Sequence, residues 1–240
     1  MTPLYIELAS SKNIPKECNI RILVIPTGSL EYHGGLLPYG VDFLTADKLV
    51  ERCLKGKYRD SAEPCIIILP PVPFGYSIEW LKHGATVTLT PSTFMSLIKE
   101  VILSFNTSLG LSGVIIVNGH GGNYSLLEAV SRTIWYDYRI PVIIVDIWKT
   151  MSRYGLKYCH ACLEEAELAS RLLDEAFQGV EDEHEELVEF NGYFDDIKPG
   201  RRGELKQSID QIIEKLCDIL KQAVELIYTK TERNIDLESI

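Results

Sequence analysis

Glu31, His33 and Asp42 lie within twelve residues of one another in the stretch Gly28–Asp42, GSLEYHGGLLPYGVD. A second stretch, Asn118–Asn123, reads NGHGGN and carries His120. Glu31 and His33 are two apart, so on extended backbone their side chains point the same way. Asp42 can return from the intervening loop at the start of a helix. Two carboxylates and two imidazoles brought together form a metal-ligand set, and that mix suits Zn²⁺, Mn²⁺ or Fe²⁺ better than Mg²⁺ or Ca²⁺. An aspartate between two Glu/His sets can bridge two ions, about 3.5–4 Å apart in the usual two-metal arrangement. Gly34, Gly35, Gly119, Gly121 and Gly122 would let backbone approach ions and substrate without Cβ clashes. Each residue also has a plainer reading. Glu31 alone is a surface carboxylate, Asp42 alone a helix N-cap near Thr45, and His33 and His120 singly are hydrogen-bonded core histidines. The combination favours a metal site, because two of only five histidines fall in glycine-rich turns, one with a glutamate two residues before it.

Those turns are positioned by four short runs rich in Ile and Val: Ile20–Ile25, Cys65–Leu69, Val114–Val117 and Val142–Val145. Continuous β-branched runs of this length read as strands buried on both faces, as in a parallel sheet. Helical spacing predicts helices over Phe43–Leu54, Pro91–Phe105, Leu126–Tyr138 and Glu164–Phe177. A longer amphipathic helix follows from Leu205, Ile209, Ile212, Ile213, Leu216, Ile219, Leu220, Val224 and Ile227. Strands alternating with helices predict an α/β fold of βαβ units. No repeat or linker divides the chain, so residues 1–228 read as one domain and 229–240 as a polar tail that frays. Every polar motif then falls at the carboxyl end of an expected strand, where open α/β sheets bind ligands.

Composition narrows the class. The 240 residues suffice for a substantial core, and the formal net charge is −10. An acidic chain is a poor candidate for binding nucleic acid, whose phosphates are held by clustered Lys and Arg. No apolar run reaches the roughly 20 residues that span a bilayer, and the N-terminus lacks the basic and apolar regions of a signal peptide. Six scattered cysteines in a chain of this size suit reduced thiols and a cytoplasmic location. Cys159 and Cys162 form a C-x-x-C without a second pair, read as small buried thiols rather than redox or zinc ligands. The acidic stretch Glu181–Glu189, with His184, reads as a solvated loop or exposed strand. Trp148 and Tyr76 are candidate pocket walls, and Lys82, Lys149 and Arg153 candidate phosphate contacts.

Together these residues resemble the creatininase (creatinine amidohydrolase) family. The blocks are Gly28-Ser29-Leu30-Glu31-Tyr32-His33-Gly34 with Leu37-Pro38 and Asp42, Pro73–Glu79 with His83-Gly84 through Thr88-Leu89, and Asn118–Asn123. The resemblance runs from about residue 20 to 175. It implies a three-layer α/β/α sandwich with a mostly parallel central sheet, two divalent transition-metal ions (Zn, Mn or Fe(II)), and hydrolysis of a non-peptide C–N bond in a small cyclic amide or formamide. By position, it makes Glu31 and His120 ligands of one ion, His33 a ligand of the other and Asp42 the bridge. It also implies a homo-oligomer, commonly a hexamer.

Two departures stand out. The family's metal-binding Glu two residues after the N-G-H histidine is Gly122 here, and the later block H-A-G-E-x-E reads His160-Ala-Cys-Leu-Glu164-Glu165. Glu165, in preference to Glu164, is the candidate to complete the second site or to orient His160, the candidate proton carrier. The missing Glu disfavours creatinine itself as substrate. Alternatives are a deformylase acting on a formamidopyrimidine ribonucleotide, a branch that trims a peptide-derived redox cofactor, and a non-catalytic metal-dependent binding protein on the same scaffold. A phosphate-binding module on Gly119–Gly122 lacks the Lys-Ser/Thr of a P-loop.

Overall fold

The computed structural model describes residues 3–14, 18–35, 37–55, 64–155, 160–174 and 208–238. Five parallel strands form one sheet in the order β1-β3-β2-β4-β5: β1 (Leu4–Tyr5), β2 (Arg21–Thr27), β3 (Cys65–Ile68), β4 (Gly113–Asn118) and β5 (Val142–Asp146). The helices are α1 (Val41–Leu54), α2 (Pro91–Leu109), α3 (Tyr124–Tyr138), α4 (Ile147–Arg153), α5 (Leu163–Leu173) and α6 (Ile209–Glu238).

Layering follows from side-chain alternation along the strands. In β2, Ile22 and Val24 face one core, shared with α1, α4, α5 and α6, while Leu23 and Ile25 face another, shared with α2 and α3. A strand packed by helices on both sides needs apolar residues at every position, which is why these runs do not alternate with polar residues. The fold is therefore the expected α/β arrangement, with an all-parallel sheet. Register aligns the strand ends: Thr27 pairs with Asn118, and Asn118 with Asp146. The three lie in one row along the carboxyl rim of the sheet.

Local signals explain several boundaries. Thr90 caps α2 by accepting from the Thr93 N–H at 3.2 Å, Pro91 opens it, and Gly110 closes it at a φ of 70°. Asp146 Oδ1 caps α4 by accepting the Lys149 N–H at 2.8 Å. The two-residue β1 and the seven-residue α4 were not expected, being too short for a periodic signal. α6 runs through the expected tail as far as Glu238, and α5 ends at Leu173, before the expected Phe177. Leu205, Phe177, Cys159, His184 and the acidic stretch 181–189 lie outside the described residues.

The reading of the cysteines as reduced thiols is corrected. Cys18 is bonded to Cys65, with Cα atoms 6.3 Å apart, and Cys53 to Cys217, at 4.8 Å. Cys162 is also disulfide-bonded. The first pair joins the entries of adjacent strands, and the second joins α1 to α6 where they pack. Sequence separations of 47 and 164 conceal both proximities. The cysteine argument for a cytoplasmic location therefore falls away. Among the described residues, no helix is long and apolar enough to cross a membrane.

Candidate metal centre

Four segments bring their polar residues to the rim. The chain leaving β2 carries Glu31 and His33. α1 brings Asp42 in its first turn, the chain leaving β4 brings His120, and α5 brings Glu165 in its own first turn. Asp42 is not an N-cap: Gly40 occupies that position, without a side-chain hydrogen bond. The approach of α1 to the β4 turn depends on Gly119, where a Cβ would lie 2.9 Å from the carbonyl carbon of Asp42. At Gly122 a Cβ would lie 2.6 Å from His120 Nε2 and would also collide with the Tyr76 carbonyl. These two glycines make room for neighbouring protein atoms rather than for ions or substrate.

Glu31, Asp42 and His120 present ligand atoms that all lie within 4.8 Å of one another, and so do His33, Asp42 and Glu165. Asp42 belongs to both triads. A third grouping joins Glu31, His33 and His160. His120 Nδ1 is 3.2 Å from both Glu31 Oε1 and Asp42 Oδ2. His33 Nε2 is 3.3 Å from Asp42 Oδ1 and 3.6 Å from Glu165 Oε1. Of the two candidate glutamates, Glu165 faces this centre and Glu164 belongs to none of the three groupings.

Backbone carbonyls fix the tautomers of all three histidines. A carbonyl oxygen can only accept, so the ring nitrogen facing it carries the proton. His33 Nδ1 donates to the Glu31 carbonyl at 3.0 Å, His120 Nε2 to Tyr76 at 2.8 Å, and His160 Nε2 to Tyr32 at 2.7 Å. The opposite nitrogen of each ring faces the carboxylates. This is the arrangement that orients metal-binding imidazoles.

The electrostatics describe a site short of positive charge. Glu31, Asp42 and Glu165 are 1%, 3% and 4% exposed. Burial opposes charge on His33 and His120, but the carboxylates outweigh it. Glu165 and Asp42 hold His33, and Glu31 and Asp42 hold His120, well above the ordinary imidazole value. Burial likewise opposes ionisation of Asp42, yet His33 and His120 keep it well below the usual carboxylate range. Even so, both Glu31 oxygens, His33 Nε2 and Asp42 Oδ2 are buried without a hydrogen-bond partner. Such atoms are costly to leave unsatisfied. Their convergence on shared centres is the arrangement divalent ions satisfy, so the donor set fits two transition-metal ions.

His160 differs. Burial, then the positive charge of His33, pushes its pKa down, so it is the neutral member of the group. Its Nδ1 lies 3.5 Å from Glu31 Oε1. Ala161, at a φ of 53°, turns the chain sharply after it and donates its N–H to Glu165 Oε2 at 2.5 Å. That turn lets His160 and Glu165 face one centre although five positions separate them.

A surrounding network ties the strand ends together. Asn118 donates to the His120 carbonyl at 2.6 Å and to Asp146 Oδ2 at 2.7 Å. Asn123 donates to the Gly28 carbonyl at 3.0 Å and accepts from the Tyr76 N–H at 3.0 Å, linking three loops. Trp148 is not a pocket wall: it is buried, and its indole N–H donates to the Gly119 carbonyl at 2.7 Å. Tyr76 acts through its backbone. Lys149 lies over the Tyr124 ring at 3.1 Å, and Lys82 and Arg153 are exposed. The sequence reading missed Trp80, whose ring stacks on His160. It follows directly on the Pro73–Glu79 block, but its partner lies eighty residues away.

A family model described as Creatininase: Creatinine amidohydrolase matches residues 10–195. The chain is 29% identical over 131 residues to the mycofactocin precursor peptide peptidase of Mycolicibacterium smegmatis, covering 53% of this chain and 52% of that protein. It is 32% identical over 127 residues to the 2-amino-5-formylamino-6-ribosylaminopyrimidin-4(3H)-one 5'-monophosphate deformylase of Methanobrevibacter ruminantium, covering 52% and 50%. These matches span about half the length of each relative. A creatininase variant solved in a zinc–zinc form aligns at a TM-score of 0.64 and 16% identity, over 93% of this chain and 98% of that one. That likeness shows a shared fold.

Proposed function

Because the chain belongs to the creatininase family, we propose that it is an amidohydrolase that binds two divalent transition-metal ions and cleaves a non-peptide C–N bond in a cyclic amide or formamide. The observation that carries the reading is the pair of buried triads sharing Asp42, with partnerless ligand atoms pointing inward. Glu31, Asp42 and His120 would hold one ion, and His33, Asp42 and Glu165 the other. Glu165 thus supplies from α5 the ligand that Gly122 lacks. When bound, the ions would supply Lewis acidity, making a nucleophile available at neutral pH and stabilising the oxyanion that develops at the amide carbon.

The remaining work falls to His160. With Nε2 committed to the Tyr32 carbonyl, only Nδ1 can exchange a proton with the site. Being neutral, Nδ1 takes a proton from the attacking water and hands it to the departing nitrogen, a poor leaving group until protonated. Glu165 Oε2 holds the Ala161 N–H and so keeps the turn carrying His160 in place.

The test is a panel of cyclic amides and formamides, including a formamidopyrimidine ribonucleotide, incubated with protein loaded with zinc, manganese or iron(II). Formate release identifies the deformylase chemistry of one relative, and ring opening identifies a cyclic amide. His160→Ala should retain its metal and lose turnover. Full activity in that variant would remove His160 from the reaction. No turnover with any metal would leave a binding protein on this scaffold.

A further inference from the structure

The His160 ring is held on three sides. Its Nε2 edge is fixed by the Tyr32 carbonyl, and one neighbour is the His33 ring, 4.3 Å away and inclined by 30°. The indole of Trp80 lies nearly parallel to it, with centroids 4.0 Å apart and planes 11° apart. Trp80 ends a single 3-10 turn, Ile78–Trp80. That turn is itself tied down: the N–H of the buried Ser77 donates to Thr88 Oγ1 at 2.9 Å, and its hydroxyl contacts both Ser29 and His120 Nε2. On the far side, the His83 N–H donates to the Trp80 carbonyl at 2.9 Å, and the His83 ring stacks on Tyr32. One short segment therefore touches two histidines of the site, His120 through Ser77 and His160 through Trp80.

A lone hydrogen bond at Nε2 leaves an imidazole free to swing about that contact. Nδ1 would then leave the centre, and the other tautomer would become available. A flat, immobile aromatic surface removes that freedom by fixing the ring plane. We propose that Trp80 is a positioning residue whose indole face holds the His160 ring so that Nδ1 stays aimed at the centre. This rests on the reading of His160 as the proton carrier. Trp80 acts through His160 and takes no proton itself.

Two truncations of similar size separate an aromatic face from mere apolar filling: Trp80→Phe retains an aromatic face, and Trp80→Leu retains an apolar side chain without one. Both are prepared as zinc-loaded protein. Nitrogen-15 NMR of the histidine rings, with His160 assigned by its loss in His160→Gln, reports the tautomer and the ring-current displacement from the indole. Trp80→Leu should keep its zinc, lose the displacement and show a mixed His160 tautomer, whereas Trp80→Phe should keep the Nε2–H form. On the substrate found in the panel, Trp80→Leu should lower kcat at least tenfold with KM within about twofold, and Trp80→Phe should restore most of it. An unchanged tautomer in Trp80→Leu overturns the proposal, as does wild-type kcat or a loss confined to KM. If the wild type hydrolyses nothing in the panel, the hydrolase reading falls, and the tautomer measurement alone decides whether Trp80 positions His160.

Discussion

Asp42 is the residue whose replacement tests the two-ion reading most directly, because it is the one carboxylate common to both triads. Asp42→Asn keeps the shape of a side chain that is 3% exposed and removes its charge. Each triad then drops from two carboxylates and one imidazole to a single carboxylate and one imidazole. Suppose zinc is present at a thousand times the wild-type Kd. Binding then stabilises the wild type by about 4.1 kcal/mol for each independent ion. For a chain of this size that corresponds to roughly 8–16 °C in Tm. If the substitution weakens each site a hundredfold, the same zinc concentration yields only about 1.4 kcal/mol, or roughly 3–6 °C. Thermal melts with and without zinc, with elemental analysis after dialysis, read both consequences. The wild type should retain two ions per chain, and the variant fewer than one. An Asp42→Asn protein that keeps two ions and the full zinc-dependent shift would refute the bridge and, with it, the argument from shared orphan atoms.

Three further outcomes are expected. Gly122→Ala places a Cβ 2.6 Å from His120 Nε2 and against the Tyr76 carbonyl that orients that ring. Metal content should fall toward the single ion held by His33, Asp42 and Glu165, and Gly122→Glu should do the same rather than restore a ligand; a fully loaded variant contradicts this. Metal uptake should release protons, since the carboxylates raise His33 and His120 well above the ordinary imidazole value. Stability from a raised imidazole is present below its unfolded pKa and lost as pH rises through the folded one. Apo-protein stability should therefore decline toward alkaline pH over the window in which zinc affinity rises. Calorimetry at pH 7 in buffers of differing ionisation enthalpy should find about two protons released per chain, and none released sinks the point. Replacing Cys53 and Cys217 together with Ser opens a bond spanning 164 positions. The chain-entropy limit for such a loop is about 5 kcal/mol, within a usual range of roughly 2–5 for lost native disulfides. Denaturant unfolding that shows no loss would contradict the α1–α6 pairing.

Much of the frame was legible because its signals are local. A buried parallel strand is apolar through most of its length, so Ile20–Ile25, Cys65–Leu69, Val114–Val117 and Val142–Val145 announced β2 to β5 as Ile- and Val-rich runs. β1 and α4 carry too few residues for any period to emerge. The rim followed from the same logic, since turns after parallel strands all collect on one edge. Glu31, His33, Asp42 and His120 could therefore be grouped before any distance was known. The family block already favoured Glu165 over Glu164, and the turn at Ala161 supplies the physical reason, because neighbours on a helix point about 100° apart and the helix's placement turns Glu165 inward.

What the sequence by itself determined is the set of groups available and the edge on which they gather. The alternation of apolar runs and helical periods dictates a parallel sheet, and the chemistry of Glu, His and Asp dictates a preference for transition metals. Tertiary structure alone decided the pairings across long separations: Cys53 with Cys217, Asn123 with Gly28, and Trp80 with His160. It also decided which ring nitrogen of His33, His120 and His160 carries a proton, because that depends on which backbone carbonyl faces which ring nitrogen. The physical reason is one of range. Secondary structure arises from neighbours a few residues apart, whereas stacking, disulfides and hydrogen bonds between loops depend on distances that exist only once the chain has packed.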